Sequence, residues 1–133
     1  MKQYTKTIKL IETILSPYDA LQGLECDGFT RVADYLLVQA KVPHICFMGK
    51  VSFKGDEIPF HMWIKVDGYI YVDYRLRMWF GPDAPHGVFK DLSSDVVYSD
   101  AVVYDKPVIN SQVFYLLTDN NNRRLDFRPQ TKW

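Results

Sequence analysis

The sequence predicts an α+β fold: helices in the N-terminal third, one of them starting at a cysteine, packed on an antiparallel sheet of about four to six strands. Three observations carry this. Apolar residues recur at helical spacing as far as Ala40. After Pro43 the period shortens to that of extended chain. From Phe60 to Tyr74, Phe60, Met62, Ile64, Ile70, Val72 and Tyr74 occupy even positions, while His61, Trp63, Lys65, Tyr69, Tyr71 and Asp73 occupy odd ones. Such alternation marks strands that turn one face to a core. At 133 residues the chain fits one domain, residues 1–133, that buries a core without metal or disulfide staples.

The elements follow in order. Ile8, Leu10, Ile11, Ile14 and Leu15 predict an amphipathic helix from about Tyr4 to Leu15. Ser16-Pro17 ends it and opens a short second helix through Leu21, which Gly23 breaks just before Cys26. A third helix is expected from about Asp27 to Ala40. Phe29, Ala33, Leu36, Leu37 and Ala40 form its stripe, and Val42-Pro43 stops it. Ile45 to Phe53 reads as a strand and Lys54-Gly55-Asp56-Glu57 as a turn. A two-residue turn at Asp67-Gly68 would mix the faces of the next hairpin, so a three-residue loop, Val66-Asp67-Gly68, is expected, with Gly68 left-handed. That loop pairs Lys65 with Tyr69, Met62 with Val72 and Ile64 with Ile70. It also sets His61 directly opposite Asp73, with β-carbons about 4.5–5.5 Å apart. Beyond Tyr74, Gly81-Pro82 and Ala84-Pro85-His86-Gly87 make a turn-rich loop. Val96 to Tyr104 reads as a strand, and Val113 to Thr118 as a strand or a short helix capped by Asn110 or Ser111.

Charge narrows the function classes. Lys and Arg number 16 and Asp and Glu 16, so no overall field steers the chain to nucleic acid or anionic lipid. Arg123, Arg124 and Arg128 are interrupted by Asp126 and read as a solvated tail. Lysines interrupt the apolar positions of the first fifteen residues, which fits neither a secretion signal nor a membrane span, and a cytoplasmic home follows by default. Both cysteines are then expected as thiols. Cys46, inside an apolar strand, is assigned to the core, and His44, just past a helix-ending proline, to the surface or a strand edge. A His44-x-Cys46 pair lacks further ligands at sensible spacing, so neither a metal nor a cofactor is expected.

Cys26 is different. A thiol does acyl-transfer chemistry as thiolate, favoured by a helix N-terminus, a histidine in reach and a carboxylate that orients the histidine. Cys26 stands at a predicted helix start, and the hairpin brings His61 to Asp73. Glu25 and Asp27 oppose the thiolate unless they point away.

The run C-D-G-F-T-R-V-A-D-Y-L-L-V-Q-A-K-V-P-H-I-C-F-M-G, Cys26 to Gly49, resembles the nucleophile helix and following strand of the transglutaminase-like (papain-like) superfamily. H-M-W-I-K-V-D-G-Y-I-Y-V-D, His61 to Asp73, resembles its His-x-Trp … Asp hairpin. The match runs from about Gly23 to Tyr74. Lys41 stands where these families commonly have glycine. The resemblance implies Cys26 as nucleophile, His61 as general base and acid, and Asp73 as orienter. It further implies acyl transfer on an amide or thioester of a peptide or protein, as a peptidase or deamidase-type hydrolase. The alternative is a protein-interaction module of the same lineage without chemistry. Candidate cleft residues are His86 in its loop, and Trp63 and Tyr71, which share a face with His61 and for which packing beneath a C-terminal strand is an equal alternative. Gln22, four residues before Cys26, is a candidate oxyanion donor beside the Cys26 backbone N–H.

Overall fold

Helix α1 (Lys2–Leu15) turns Ile11 and Leu15 to the interior, both without exposed surface, and leaves Leu10 outside. Burying each such side chain is worth about 1.5–3 kcal/mol. The structure is a computed structural model and describes residues 2–21, 23–90, 95–104 and 109–119. Gln22 and the Arg123–Arg128 tail lie outside the described residues. Where the sequence predicts a second helix reaching Leu21, Pro17 supports only a 3₁₀ turn, Ser16–Tyr18.

Helix α2 (Cys26–Gln39) starts at the cysteine itself. Val32 is fully buried on it and Ala40 is exposed, so the apolar stripe is rotated from the predicted one. Its end is a Schellman motif. Val42 N–H bonds to Leu37 O at 2.9 Å, Lys41 N–H bonds to Val38 O at 3.0 Å, and the Val42 and Leu37 side chains are both buried. The motif needs a left-handed residue, and Lys41 supplies it with φ 59°. The position where the resembled families carry glycine is therefore one where glycine has a backbone reason to be.

Strands β1 (Ile45–Phe53) and β2 (Asp56–Val66) join through Lys54 and Gly55, φ 50° and 91°. Two left-handed residues make the tight turn that matches strand twist, so Asp56 and Glu57 already belong to β2. Gly49 pairs with His61 and Val51 with Ile58, which leaves Pro59 and Phe60 bulged opposite Lys50. A bulge is where a strand tolerates proline. It also turns Phe60 outward, 53% exposed, although its parity predicts the core face.

The loop to β3 (Ile70–Asp73) has three residues, but they are Asp67-Gly68-Tyr69, with φ of 56° at Asp67 and 80° at Gly68. Val66 pairs with Ile70, Lys65 with Tyr71 and Ile64 with Val72. The register is thus two residues from the expected one. A slip of two keeps parity, so the apolar face survives, but His61 no longer sits directly across from Asp73.

Helix α3 (Arg77–Phe80) and strand β4 (Gly87–Phe89), neither of them predicted, flank the turn-rich loop expected between Gly81 and Gly87. Strand β5 (Val96–Val103) and helix α4 (Ser111–Thr118) follow, with Asn110 Oδ1 capping α4 by accepting from Val113 N–H at 2.8 Å. Among the described residues the strands form one antiparallel sheet in the order β4-β3-β2-β1-β5. The fold class is α+β, with four helices and five strands among the described residues. One buried cluster joins α1 and α2 to Ile64, Val66, Ile70 and Val72. Another gathers Val51, Phe53, Leu76, Ala84 and Val96. At Gly49 a β-carbon would lie 2.8 Å from the Ser99 carbonyl oxygen and 2.9 Å from that of Asp100, so β5 approaches there because no side chain stands in its way. No helix among the described residues is long and apolar enough to cross a membrane.

Replacing Lys41 by Gly should raise stability by about 0.5–1 kcal/mol, because the left-handed conformation disfavours a β-carbon. The midpoint of urea unfolding measures it, and an unchanged or lowered midpoint would contradict the account of this helix end.

Candidate active site

Cys26 is the first helical residue of α2, partly exposed and free of disulfide. Glu25, at the N-cap position, makes no side-chain bond to the first turn. The neighbouring Asp27 carboxyl is held above its usual range by burial, an effect that Arg31 opposes and Glu25 reinforces. It therefore weighs less against a nearby thiolate than a solvated carboxylate would.

His61 and Asp73 lie beyond the last paired residues of the β2–β3 ladder, and their side chains close the gap. The Nε2–H of His61 donates to Asp73 Oδ2 at 2.8 Å, with the His61 side chain wholly enclosed. Two more donors hold the carboxylate: Tyr98 Oη–H to Oδ2 at 2.7 Å and the Arg75 backbone N–H to Oδ1 at 3.1 Å. Burial alone would lower the imidazole pKa. The Asp73 charge and hydrogen bond override it, with a further push from Cys26 as hydrogen-bond partner and charge, and the result is a pKa raised to about 10. Since Nε2 is committed to Asp73, Nδ1 is the nitrogen left for the thiol. It has no hydrogen-bond partner among the described residues, while Cys26 lies near enough to the ring to help raise its pKa. Catalytic hydrogen bonds commonly tighten only with substrate in place.

The odd-numbered face is no solvated surface. Trp63 is 2% exposed and packs at a tilt on Tyr98 with ring centroids 4.5 Å apart, and Tyr71 stacks on Tyr98 at 5.1 Å and Phe89 at 5.9 Å. These rings cover the His61–Asp73 pair and exclude water. Burial, followed by the Asp73 charge and hydrogen bond, raises the Tyr98 pKa well above the ordinary value, so Tyr98 remains a donor.

The open space at Cys26 lies elsewhere. A cleft of about 460 Å³ is lined by Cys26 with Glu25, Asp27, Glu57, Phe60 and Trp79. Trp63, Tyr71 and His86 are not among its walls. His86 Nε2 instead bonds Asp19 Oδ2 at 2.8 Å, and its ring meets Tyr74 edge-on.

Arg75 is the residue that spacing does not reveal. It is 5% exposed. Its guanidinium donates to the carbonyls of Asp19, Leu21, Leu24 and Tyr74 and to Asp19 Oδ1, while lying 4.5 Å from the Phe29 ring centroid. The loop that delivers Cys26 is thus fastened to the end of β3. A cation between Tyr74 and Leu76 was the signal for it, as a tyrosine following Val96 and Val97 was for Tyr98.

His44, expected at the surface or a strand edge, stands directly before β1 with its side chain enclosed. Its ring donates through Nδ1 to Val42 O at 2.7 Å and meets Asp34 Oδ1 through Nε2 at 2.6 Å. Cys46 is buried, and its thiol lies 3.7 Å from the same oxygen. Burial and then Asp34 push that thiol up to about 12. Asp34 is a third donor beside the His44-x-Cys46 pair, which the sequence reading left without further ligands.

No protein-family model matches the chain, and neither a curated protein nor a solved structure matches it.

Exchanging Arg75 for Met should cost about 3 kcal/mol or more, since several buried carbonyls lose their donor at once. Urea unfolding measures the loss, and a cost below about 1 kcal/mol would show that the loop is held by other contacts. The His61 interaction also has a pH signature. With a folded pKa near 10 against an ordinary value of about 6.5, its contribution is complete below about pH 6.5 and is lost as pH rises toward 10. The stability gap between the wild type and His61→Gln should therefore narrow over that window. A gap that is constant or widens with pH would contradict the ion pair.

Proposed function

We propose that the chain is a cysteine-nucleophile acyl-transfer enzyme of the transglutaminase-like kind, acting on an amide or thioester of a peptide or protein. The observation that carries this reading is one constellation. A partly exposed thiol at a helix tip adjoins an imidazole whose other nitrogen is held by a buried carboxylate, and an open cleft lies over the sulfur.

The chemistry follows from those positions. The Cys26 proton has already passed to His61 Nδ1 when the sulfur attacks the substrate carbonyl carbon as thiolate, in keeping with an imidazole pKa raised to about 10. The oxyanion that forms is met by backbone N–H groups of the first turn of α2, whose positive end also favours the thiolate. As the tetrahedral intermediate collapses, the carbon–nitrogen or carbon–sulfur bond breaks and His61 returns the proton to the leaving group. Water then attacks the thioester with His61 as base, freeing the acid and restoring the thiolate–imidazolium pair. Asp73 keeps the imidazole turned so that Nδ1 faces sulfur throughout, and Tyr98 and the Arg75 N–H keep Asp73 turned in the same way. The cleft walls combine acidic Glu25, Asp27 and Glu57 with apolar Phe60 and Trp79, which suits a peptide segment of mixed basic and apolar character.

A second reading, a binding module without chemistry, is favoured by the rim of the same cleft, where Phe60 and Trp79 are each 53% exposed. Iodoacetamide at about pH 6 separates the two, because it reacts with thiolate. Cys26 should be alkylated at least about tenfold faster than a simple thiol, and His61→Gln should remove that advantage, while Cys46 stays inert as an internal control. Labelling no faster than a simple thiol, together with no peptide cleaved or deamidated by the wild type that Cys26→Ser leaves intact, would favour the binding module.

A further inference from the structure

Asp34 lies eight residues along α2 from Cys26, which at the helical rise is about 12 Å away. The cluster it forms with His44 and Cys46 is therefore separate from the candidate active site. Their donor atoms, one carboxylate oxygen, one imidazole nitrogen and one sulfur, all lie within 4.8 Å of one another. All three side chains are largely withdrawn from solvent.

We propose that Asp34, His44 and Cys46 bind a divalent first-row transition ion, Zn²⁺ by preference, with solvent as the fourth ligand. The donor set selects the metal: sulfur and imidazole suit Zn²⁺ or Co²⁺, whereas Mg²⁺ and Ca²⁺ demand oxygen throughout. The spacing agrees. Bond lengths of about 2.0–2.3 Å in a tetrahedron place ligand atoms about 3.3–3.6 Å apart. The sulfur already stands 3.7 Å from Asp34 Oδ1, and the imidazole, at 2.6 Å, has to withdraw by roughly 0.7 Å.

The outer contacts are those of a ligating histidine. Nδ1–H donates to the Val42 carbonyl, which fixes the ring and turns Nε2 toward the other two donors. Binding releases the Cys46 thiol proton and the Nε2 proton to solvent. Access runs past His44, which forms part of the wall of a cleft of about 320 Å³ with Pro43, Phe47, Lys65 and Asp67. The bound ion would clamp the middle of α2 to the start of β1, so that metal stabilises the helix that carries Cys26 by mass action.

Co²⁺ tests this in the full-length chain carrying Cys26→Ser, where Cys46 is the sole thiol. One equivalent should bind with a sulfur-to-cobalt charge-transfer band and the strong visible absorption of tetrahedral geometry. Zn²⁺ should displace it, and the melting temperature should rise with either ion. Adding Cys46→Ser or His44→Gln should abolish the charge-transfer band or weaken binding at least about tenfold. Should those variants fail to fold, the first titration still decides, because a chain with Cys46 intact that shows no sulfur-to-cobalt band overturns the proposal. Binding that survives both substitutions in folded protein overturns it equally.

Discussion

The guanidinium of Arg75 is the constraint on which the rest of the site depends. It gathers the carbonyls of Asp19, Leu21 and Leu24 and so sets where the chain enters α2. Its backbone N–H holds one oxygen of Asp73, while Tyr98 and His61 hold the other. One residue therefore fixes both the loop before Cys26 and the carboxylate behind His61, two groups that arrive from opposite ends of the core sequence. Because it sits out of water, its donors count for more than they would on a surface, and each acceptor it leaves would be an orphan.

The sheet is enclosed on both sides at its centre, and this explains the electrostatics. A histidine on a wet sheet face would titrate near its ordinary value and exchange partners freely. Beneath Trp63 and Tyr98 the His61–Asp73 pair has no solvent to replace a lost contact, so the charged imidazole is retained far into the alkaline range. The same roof separates two environments: the aromatic rings enclose the pair, while Phe60 and Trp79, thrown outward, border the open cleft at Cys26. The bulge at Pro59 and Phe60 makes that division, by re-aiming a side chain that strict alternation would send to the core.

Much of this was legible in the residues, and the failures share a cause. Helix α2 and strand β1 could be read to within a residue because periodicity, a proline stop and a cysteine start all agree there. Parity predicted which residues of the hairpin share a face, but it cannot tell registers apart that differ by two. The loop therefore fell one residue later than expected, and the His61–Asp73 contact forms across a longer span. Asp34 and Tyr98 act on residues at least ten positions away, and the Arg75 guanidinium reaches back more than fifty to Asp19, Leu21 and Leu24, where no short-range pattern extends, and their only trace is a polar group in apolar company. Trp63 and Tyr71 were placed on the correct face, and of the two roles open to them there the structure shows packing beneath a C-terminal strand, with Tyr98 of β5 against both rings.

The kink in β5 has a consequence for how the molecule meets its own copies. Outer strands of a sheet offer unpaired amides and carbonyls that can template association with a neighbour. Strand β4 has three residues, too short to serve as such a template. Strand β5 is longer and exposes Val97, Val102 and Val103, but Asp100 interrupts it with φ 52° and a charge, and its pairing with β1 shifts there. An incoming strand would lose register at that point, so the left-handed aspartate acts as a guard against fibril-like stacking.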